Sequence, residues 1–256
     1  MEKHPFYTFL LIIILSLAAS GCQPAPQLQT GEDTLFQYST LASLTAGVYD
    51  GDMTFAALKQ HGDFGVGTFN TLDGEMVQVD NQVYQIKADG VAYPVDDAAK
   101  TPFAVVTSFA PDQTVNVTEL MDCEQLKTHI DGLLPSENIP YAIKVTGIFR
   151  LMQTRSVPSQ VKPYPPLAEV VKTQPTFEFR DVEGIMVGFR LPAYMAGVNA
   201  AGYHFHFITT DKTSGGHVLS CEVQDVTVEI DHTDEWEMDL PSNQAFYKVD
   251  LSGDAP

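Results

Sequence analysis

The chain has 256 residues, 44% of them hydrophobic, enough for one large core or two modest ones and too apolar for a disordered polypeptide. Its 33 acidic residues against 14 basic give a formal net charge of −19, which excludes nucleic acid as a partner because phosphate binding needs clustered Lys and Arg. What remains is a protein with an acidic, solvated surface.

The N-terminus is a targeting segment. Lys3 precedes an apolar run from Phe9 to Leu15, followed by the small residues Ala18 to Gly21 and then Cys22. The run is too short for a membrane-spanning helix and has the charged, apolar and small-residue order of a secretory signal. Ala19-Ser20-Gly21-Cys22 resembles the bacterial lipoprotein cleavage signal, which implies a leader over 1–21, cleavage before Cys22 and a lipid on its sulfur. The expected location is extracytoplasmic, secreted or anchored through Cys22, with no other contact with the membrane. The Pro-containing stretch 22–34 reads as a linker.

Beyond the linker, residues 35–46 suggest a short strand and a turn of helix, and Met53 to Gln60 a short helix capped by Asp52. Strands follow at 64–69, at 75–79 and 82–87 around an Asp80-Asn81 turn, at 91–95 and within 101–110. Residues 116–134 read as a helix, with Leu120, Leu126, Ile130 and Leu134 as its apolar stripe and Pro135 closing it. Tyr141 to Val157 is the longest strand signal, and its odd, apolar positions include Arg155. Pro158 to Pro166 marks a boundary between an N-terminal lobe (35–157) and a C-terminal lobe (158–256). A short helix follows near Leu167, then strands at 176–180 and 185–191 joined by a turn at Asp181 to Gly184. A strand from Val218 to Ile230 completes the pattern, and the tail from Asp231 is acidic and weakly patterned. Strands with a few helices suggest α+β, with mainly antiparallel sheets in two lobes.

The most informative segment lies between the last strands. His204 and His206 share one face of an alternating strand while Phe205 and Phe207 take the other. Breakers at Asp211-Lys212 and Gly215-Gly216 fold the chain back so that His217 opens the return strand beside them. Three neutral imidazoles leave a fourth tetrahedral position open, as in a catalytic rather than a structural zinc site. The mundane alternative is three satisfied histidines, since an H-x-H pair also arises by chance. Cys221 shares strand parity with His217, which would allow it near the metal. A disulfide with Cys123 in an oxidising compartment and a small buried apolar role are its other readings.

Glu75 shares the apolar face with Val77 and Val79, a costly place for a carboxylate unless it is paired, protonated or near a metal; a wet turn after Asp73-Gly74 is the competing reading. An inward Arg155 offers a planar fork for a carboxylate, or else an internal ion pair. Thr68 can present a hydroxyl from an inward strand position. Together these groups suit a small hydroxy-oxo acid, whose decarboxylation leaves an enediolate that a chelating cation stabilises.

The runs Leu191 to Asn199, Gly202 to Ile208 and Gly215 to Leu219 resemble the α-acetolactate decarboxylase family, as do Lys162 to Leu167 and Tyr49-Asp50-Gly51. The resemblance covers about 35–253. It implies conversion of 2-acetolactate to acetoin and carbon dioxide, with zinc on His204, His206 and His217. It further implies Glu75 as proton donor, Arg155 on the substrate carboxylate and Thr68 lining the pocket. The implied fold is α/β, two lobes of mixed sheet with the metal site between them, in a homodimer whose sheet extends across the interface. Family members can bring a glutamate from the tail into the site, whereas this tail offers only Asp250 and Asp254. Two other readings compete: a zinc lyase or hydrolase of another type, and an extracytoplasmic zinc-binding lipoprotein. An inward Glu and Arg beside the histidines argue against the carrier.

Overall fold

The computed structural model describes Met1 and residues 33–252, so the leader, Cys22 and nearly all of the linker lie outside the described residues. Its strands are β1 (Thr34–Tyr38), β2 (Met53–Thr54), β3 (Phe64–Thr68), β4 (Glu75–Val79), β5 (Gln82–Ile86), β6 (Ala92–Pro94), β7 (Lys100–Thr101) and β8 (Ala104–Thr107). These are followed by β9 (Gln113–Val117), β10 (Met121–Asp122), β11 (Tyr141–Arg155), β12 (Thr176–Leu191), β13 (Gly202–Thr209), β14 (Gly215–His232) and β15 (Glu235–Asp239). Five short α-helices accompany them: α1 (Leu41–Thr45), α2 (Phe55–Leu58), α3 (Cys123–Asp131), α4 (Leu167–Val170) and α5 (Gln244–Lys248).

One sheet has seven strands in the order β15-β1-β8-β3-β4-β5-β6. It is mixed only through β1 and β15, which run parallel; its other pairs are antiparallel. The second sheet is antiparallel throughout, in the order β10-β14-β11-β12-β13, with β9 also on β14. The start of β14 pairs back onto β13, which closes this sheet on itself. Val66, Val77 and Val79 of the first sheet meet Ala142, Val187, Phe189 and Ile208 of the second in the layer between them. Phe149, Phe205, Phe207 and Val223 fill the interior of the closed sheet under Leu126 and Ile130 of α3.

The lobes do not part near Pro158. The strand Tyr141–Arg155 lies at the centre of the second sheet between β12 and β14, so the sheets divide between β8 and β9, and β15 returns to the first. A proline-rich break marks where a strand stops; which sheet the strand joins is decided by its partners.

Several local expectations change for identifiable reasons. The cap of α2 is Thr54, whose hydroxyl accepts from Ala57 N, worth about 1 kcal/mol. Asp52 instead anchors the tail, accepting from Ser242 N at 3.1 Å. Within 116–134 only Cys123–Asp131 is helical, started by a capping box between Asp122 and Gln125, because the residues before it pair with β14. Residues 176–191 form one strand with no turn at Asp181; Asp181 takes a positive φ of 46° opposite Arg150 and pairs with it at 2.8 Å. The Asp80-Asn81 turn stands as expected, with both residues at positive φ as a type I′ hairpin requires.

Three one-residue bulges decide which way the long strands face, the first skipping Asp225 of β14 between Gly147↔Val226 and Ile148↔Gln224. Arg150 of β11 is skipped between Phe149↔Val223 and Leu151↔Glu222, and Leu219 of β14 between Gln153↔Ser220 and Thr154↔Val218. An extra residue flips every later side chain to the opposite face. Simple alternation would have put Arg155 with Phe149 in the closed sheet; the bulge turns it toward the first sheet. The Leu219 bulge likewise separates His217 from Cys221, which packs with Met152 and is bonded to Cys123 across a Cα–Cα distance of 5.0 Å.

This disulfide closes 98 residues of chain, worth about 4.7 kcal/mol in the chain-entropy picture and commonly less when measured. Cys221→Ser, or reduction of the native chain, is expected to lower Tm by several degrees in a calorimetric scan. An unchanged Tm would show that the bridge bears no part of the stability.

Candidate active site

The cavity between the sheets has a volume of about 190 Å³. The first sheet brings Thr68 at the end of β3 and Glu75 at the start of β4, directly paired in register. The second brings Arg155 at the end of β11, His204 and His206 on β13, and His217 on β14. His217 is the joint of this array, opposite His206 on one side and Arg155 on the other. Gly215 and Gly216 prove to be strand residues rather than turn breakers. At Gly216, φ is +140° and an added Cβ would lie 2.4 Å from Arg155 O, so only glycine lets the two strands meet there.

All six residues expected at the site converge, while Cys22 lies outside the described residues. The three imidazoles each offer a nitrogen, and these atoms lie within 4.8 Å of one another. His204 Nε2 is 3.2 Å from His217 Nδ1. His206 Nδ1 lies 2.6 Å from the carbonyl oxygen of Met76, which fixes its proton on Nδ1 and leaves the Nε2 lone pair directed into the cavity. Nε2 is buried and has no hydrogen-bond partner among the described residues. Burial keeps all three rings neutral: His204 is pushed down to about 4, and His206 and His217 well below the ordinary imidazole range. The Arg155 guanidinium adds to the depression in each. A neutral, all-nitrogen donor set, half-buried at His204 and His217 and buried at His206 with its orphaned lone pair, fits a zinc ion.

Glu75 bridges the two halves of the site. Its Oε1 accepts from Arg155 Nη1 at 3.3 Å, and its Oε2 stands 3.4 Å from His206 Nε2. Burial raises the pKa of this carboxyl and the guanidinium only partly opposes that, so it is held toward its protonated form. Thr68 lines the cavity, but its hydroxyl donates to Gly74 O at 2.7 Å, steadying the turn that presents Glu75. Leu41, Leu44, Leu72, Phe103, Val157 and Leu167 make an apolar wall.

Two contributors escape a reading of the sequence. Met76 acts through its backbone carbonyl, which no residue type announces. Tyr203 lines the cavity with its ring while its hydroxyl donates to Asp131 Oδ1 at 2.8 Å; its place immediately before the H-x-H pair was the available signal.

Neutral imidazoles, an acid pushed toward its protonated form and a guanidinium around one small apolar-walled cavity define an enzyme for a small anionic molecule. Residues 35–253 match the family model for alpha-acetolactate decarboxylase. The chain is 50% identical over 218 residues to the alpha-acetolactate decarboxylase of Methylococcus capsulatus, covering 85% of this chain and 84% of that one. It is 43% identical over 217 residues to that of Bacillus subtilis, covering 85% of each. A crystal structure of alpha-acetolactate decarboxylase from Bacillus subtilis superposes with a TM-score of 0.85, covering 86% of this chain and 94% of that chain. The chain belongs to the alpha-acetolactate decarboxylase family and is a carboxy-lyase.

Proposed function

We propose that the chain releases acetoin and carbon dioxide from 2-acetolactate with zinc held by His204, His206 and His217. The observation that carries this reading is the unpartnered Nε2 of His206, locked in its tautomer by Met76 and facing two other neutral imidazoles beside Glu75 and Arg155. When bound, the metal supplies Lewis acidity toward the adjacent hydroxyl and carbonyl oxygens of the substrate.

The remaining work belongs to the chain itself. Among the described residues the Arg155 fork is engaged only through Nη1, by Glu75, and its other donors suit the substrate carboxylate. Held there, the carboxylate is oriented for cleavage. The apolar wall accepts the two methyl groups and excludes water. As the carbon–carbon bond breaks, its electron pair moves toward the neighbouring carbonyl and carbon dioxide leaves. The proton held on Glu75 is then delivered to the carbon that bore the carboxylate, giving acetoin and an ionised Glu75 that regains a proton from water.

The test is acetoin release from racemic 2-acetolactate by purified protein, before and after dialysis against a chelator and again after zinc is restored. Activity is expected to vanish and return; full activity in the chelated protein would reject zinc.

We further propose an extracytoplasmic homodimer anchored by a lipid on Cys22. The Cys123–Cys221 disulfide supports an oxidising compartment, and β15 leaves one edge of the seven-stranded sheet open beside Trp236, which is 45% exposed. Native mass spectrometry of the full chain expressed in a bacterium checks both, by the dimer mass and by the acyl mass on the mature N-terminus; a monomer without acyl mass would reject both.

A further inference from the structure

Arg155 is flanked by two buried hydroxyls, and neither points into the cavity. Thr154 and Ser156 are both 0% exposed. Thr154 Oγ1 donates to Gly215 O at 2.9 Å, two residues before His217. Ser156 Oγ donates to Ile86 O at 2.7 Å, on β5, where Ile86 is the register partner of Glu75. One side chain thus ties the end of β11 to the strand carrying a histidine, and the other ties it to the strand pair carrying the acid.

The stiffness of β11 alone does not explain these bonds. Its ladder with β12 ends at Arg155↔Thr176 and its ladder with β14 at Arg155↔His217, so the guanidinium departs from the last paired residue of the strand. Past that point one more backbone bond, from Ser156 N to Pro175 O at 3.2 Å, holds the chain to the entry of β12, and among the described residues the only hydrogen bond from residues 154–156 to the first sheet apart from the Arg155–Glu75 contact itself is the Ser156 hydroxyl. A side chain as long as arginine reaches a substrate carboxylate reproducibly only if its backbone is fixed on both sides.

We propose that Thr154 and Ser156 are positioning residues that set Arg155 separately against the two halves of the site: Thr154 against the histidine hairpin and Ser156 against the Glu75 strand. This rests on the reading of Arg155 as the group that binds the substrate carboxylate. The two hydroxyls therefore have different consequences. Loss of the Ser156 bond lets Arg155 drift from the Glu75 side and weakens carboxylate recognition with the histidines untouched. Loss of the Thr154 bond disturbs the start of β14 as well, and so loosens the metal site along with Arg155.

The test compares Ser156→Ala, Thr154→Val, Thr154→Ser and Arg155→Ala in the full-length protein. Four quantities are read: KM for 2-acetolactate, inhibition by acetoin, which lacks the carboxylate, zinc affinity by competition with a chromophoric chelator, and Tm. Ser156→Ala is expected to raise KM about tenfold with acetoin inhibition and zinc affinity unchanged. Thr154→Val is expected to raise KM and weaken zinc about tenfold, and Thr154→Ser to restore both. Should Ser156→Ala prove insoluble, Ser156→Cys keeps the volume with a poorer donor and reads the same KM shift.

Wild-type KM and zinc affinity in both hydroxyl variants would overturn the proposal. So would a loss in which Tm, KM and acetoin inhibition all worsen together, since that marks general structural damage. If Arg155→Ala raises KM while Ser156→Ala is silent, only the positioning role falls; if Arg155→Ala is silent too, the carboxylate reading itself is rejected.

Discussion

Replacing His206 with alanine is expected to abolish zinc retention after gel filtration and to lower kcat/KM by at least about a thousandfold, on the order of 4 kcal/mol of transition-state stabilisation. His206 is the most constrained of the three rings, fixed by Met76 O on one side and 3.4 Å from Glu75 on the other. Its removal therefore takes away a donor and a neighbour of the acid together. The disulfide lies on the far face of β14, so the variant should retain it and remain folded. Activity within tenfold of the parent, in protein stripped of metal, would contradict the assignment. A pH effect accompanies it in the metal-free parent. The folded pKa of His204 is depressed to about 4 from an ordinary 6.5, so between those values the unfolded chain binds more protons. Stability therefore falls as the pH drops through that window, and the His204→Gln variant should show a shallower fall in Tm over the same range.

Glu75→Gln is expected to reduce kcat by a factor of about 100 to 10,000 with little change in KM, because the amide keeps the volume and loses the transferable proton. Arg155→Lys should act in the other parameter, raising KM by about ten- to a hundredfold, since an ammonium keeps the charge without the planar fork. The two residues are also coupled. Burial raises the Glu75 pKa and the guanidinium lowers it, so in Arg155→Ala that pKa should rise further. A donor must be protonated, so activity is lost as the pH climbs through its pKa. The alkaline limb of the kcat profile should consequently move to higher pH in Arg155→Ala. A limb that stays in place, or a Glu75→Gln enzyme with kcat within a few-fold of the parent, would assign the proton to another group.

The histidine hairpin was legible because its signals are local. The H-x-H alternation, the turn residues and His217 lie within 14 residues, and the turn at Thr209 to Ser214 closes as the pattern suggests. Glu75 was legible for the same reason: its short strand holds a strict alternation with Val77 and Val79. Arg155 reached the cavity by a route that alternation does not give. Its odd numbering suggested the apolar face of β11, yet the bulge at Arg150 exchanges the faces, and the inward side at its end is the other one. A bulge depends on pairing with distant strands and leaves little trace in the residues themselves. The strand β15 was hidden for a related reason, since a run as acidic as Glu235 to Asp239 becomes a strand only by lying beside β1. The mixed character of the first sheet follows from that pairing alone.

The unpaired residue Leu219 keeps two roles of one strand apart. In a regular strand of the same sequence, Cys221 would share the cavity face of His217 and could not meet Cys123 on the other side. By turning the sulfur to the opposite face, where it is oxidised with Cys123, one extra residue sets a covalent bridge and the histidine face on opposite sides of a single strand. The covalent link of this fold is thus a property of strand registry as much as of its two cysteines.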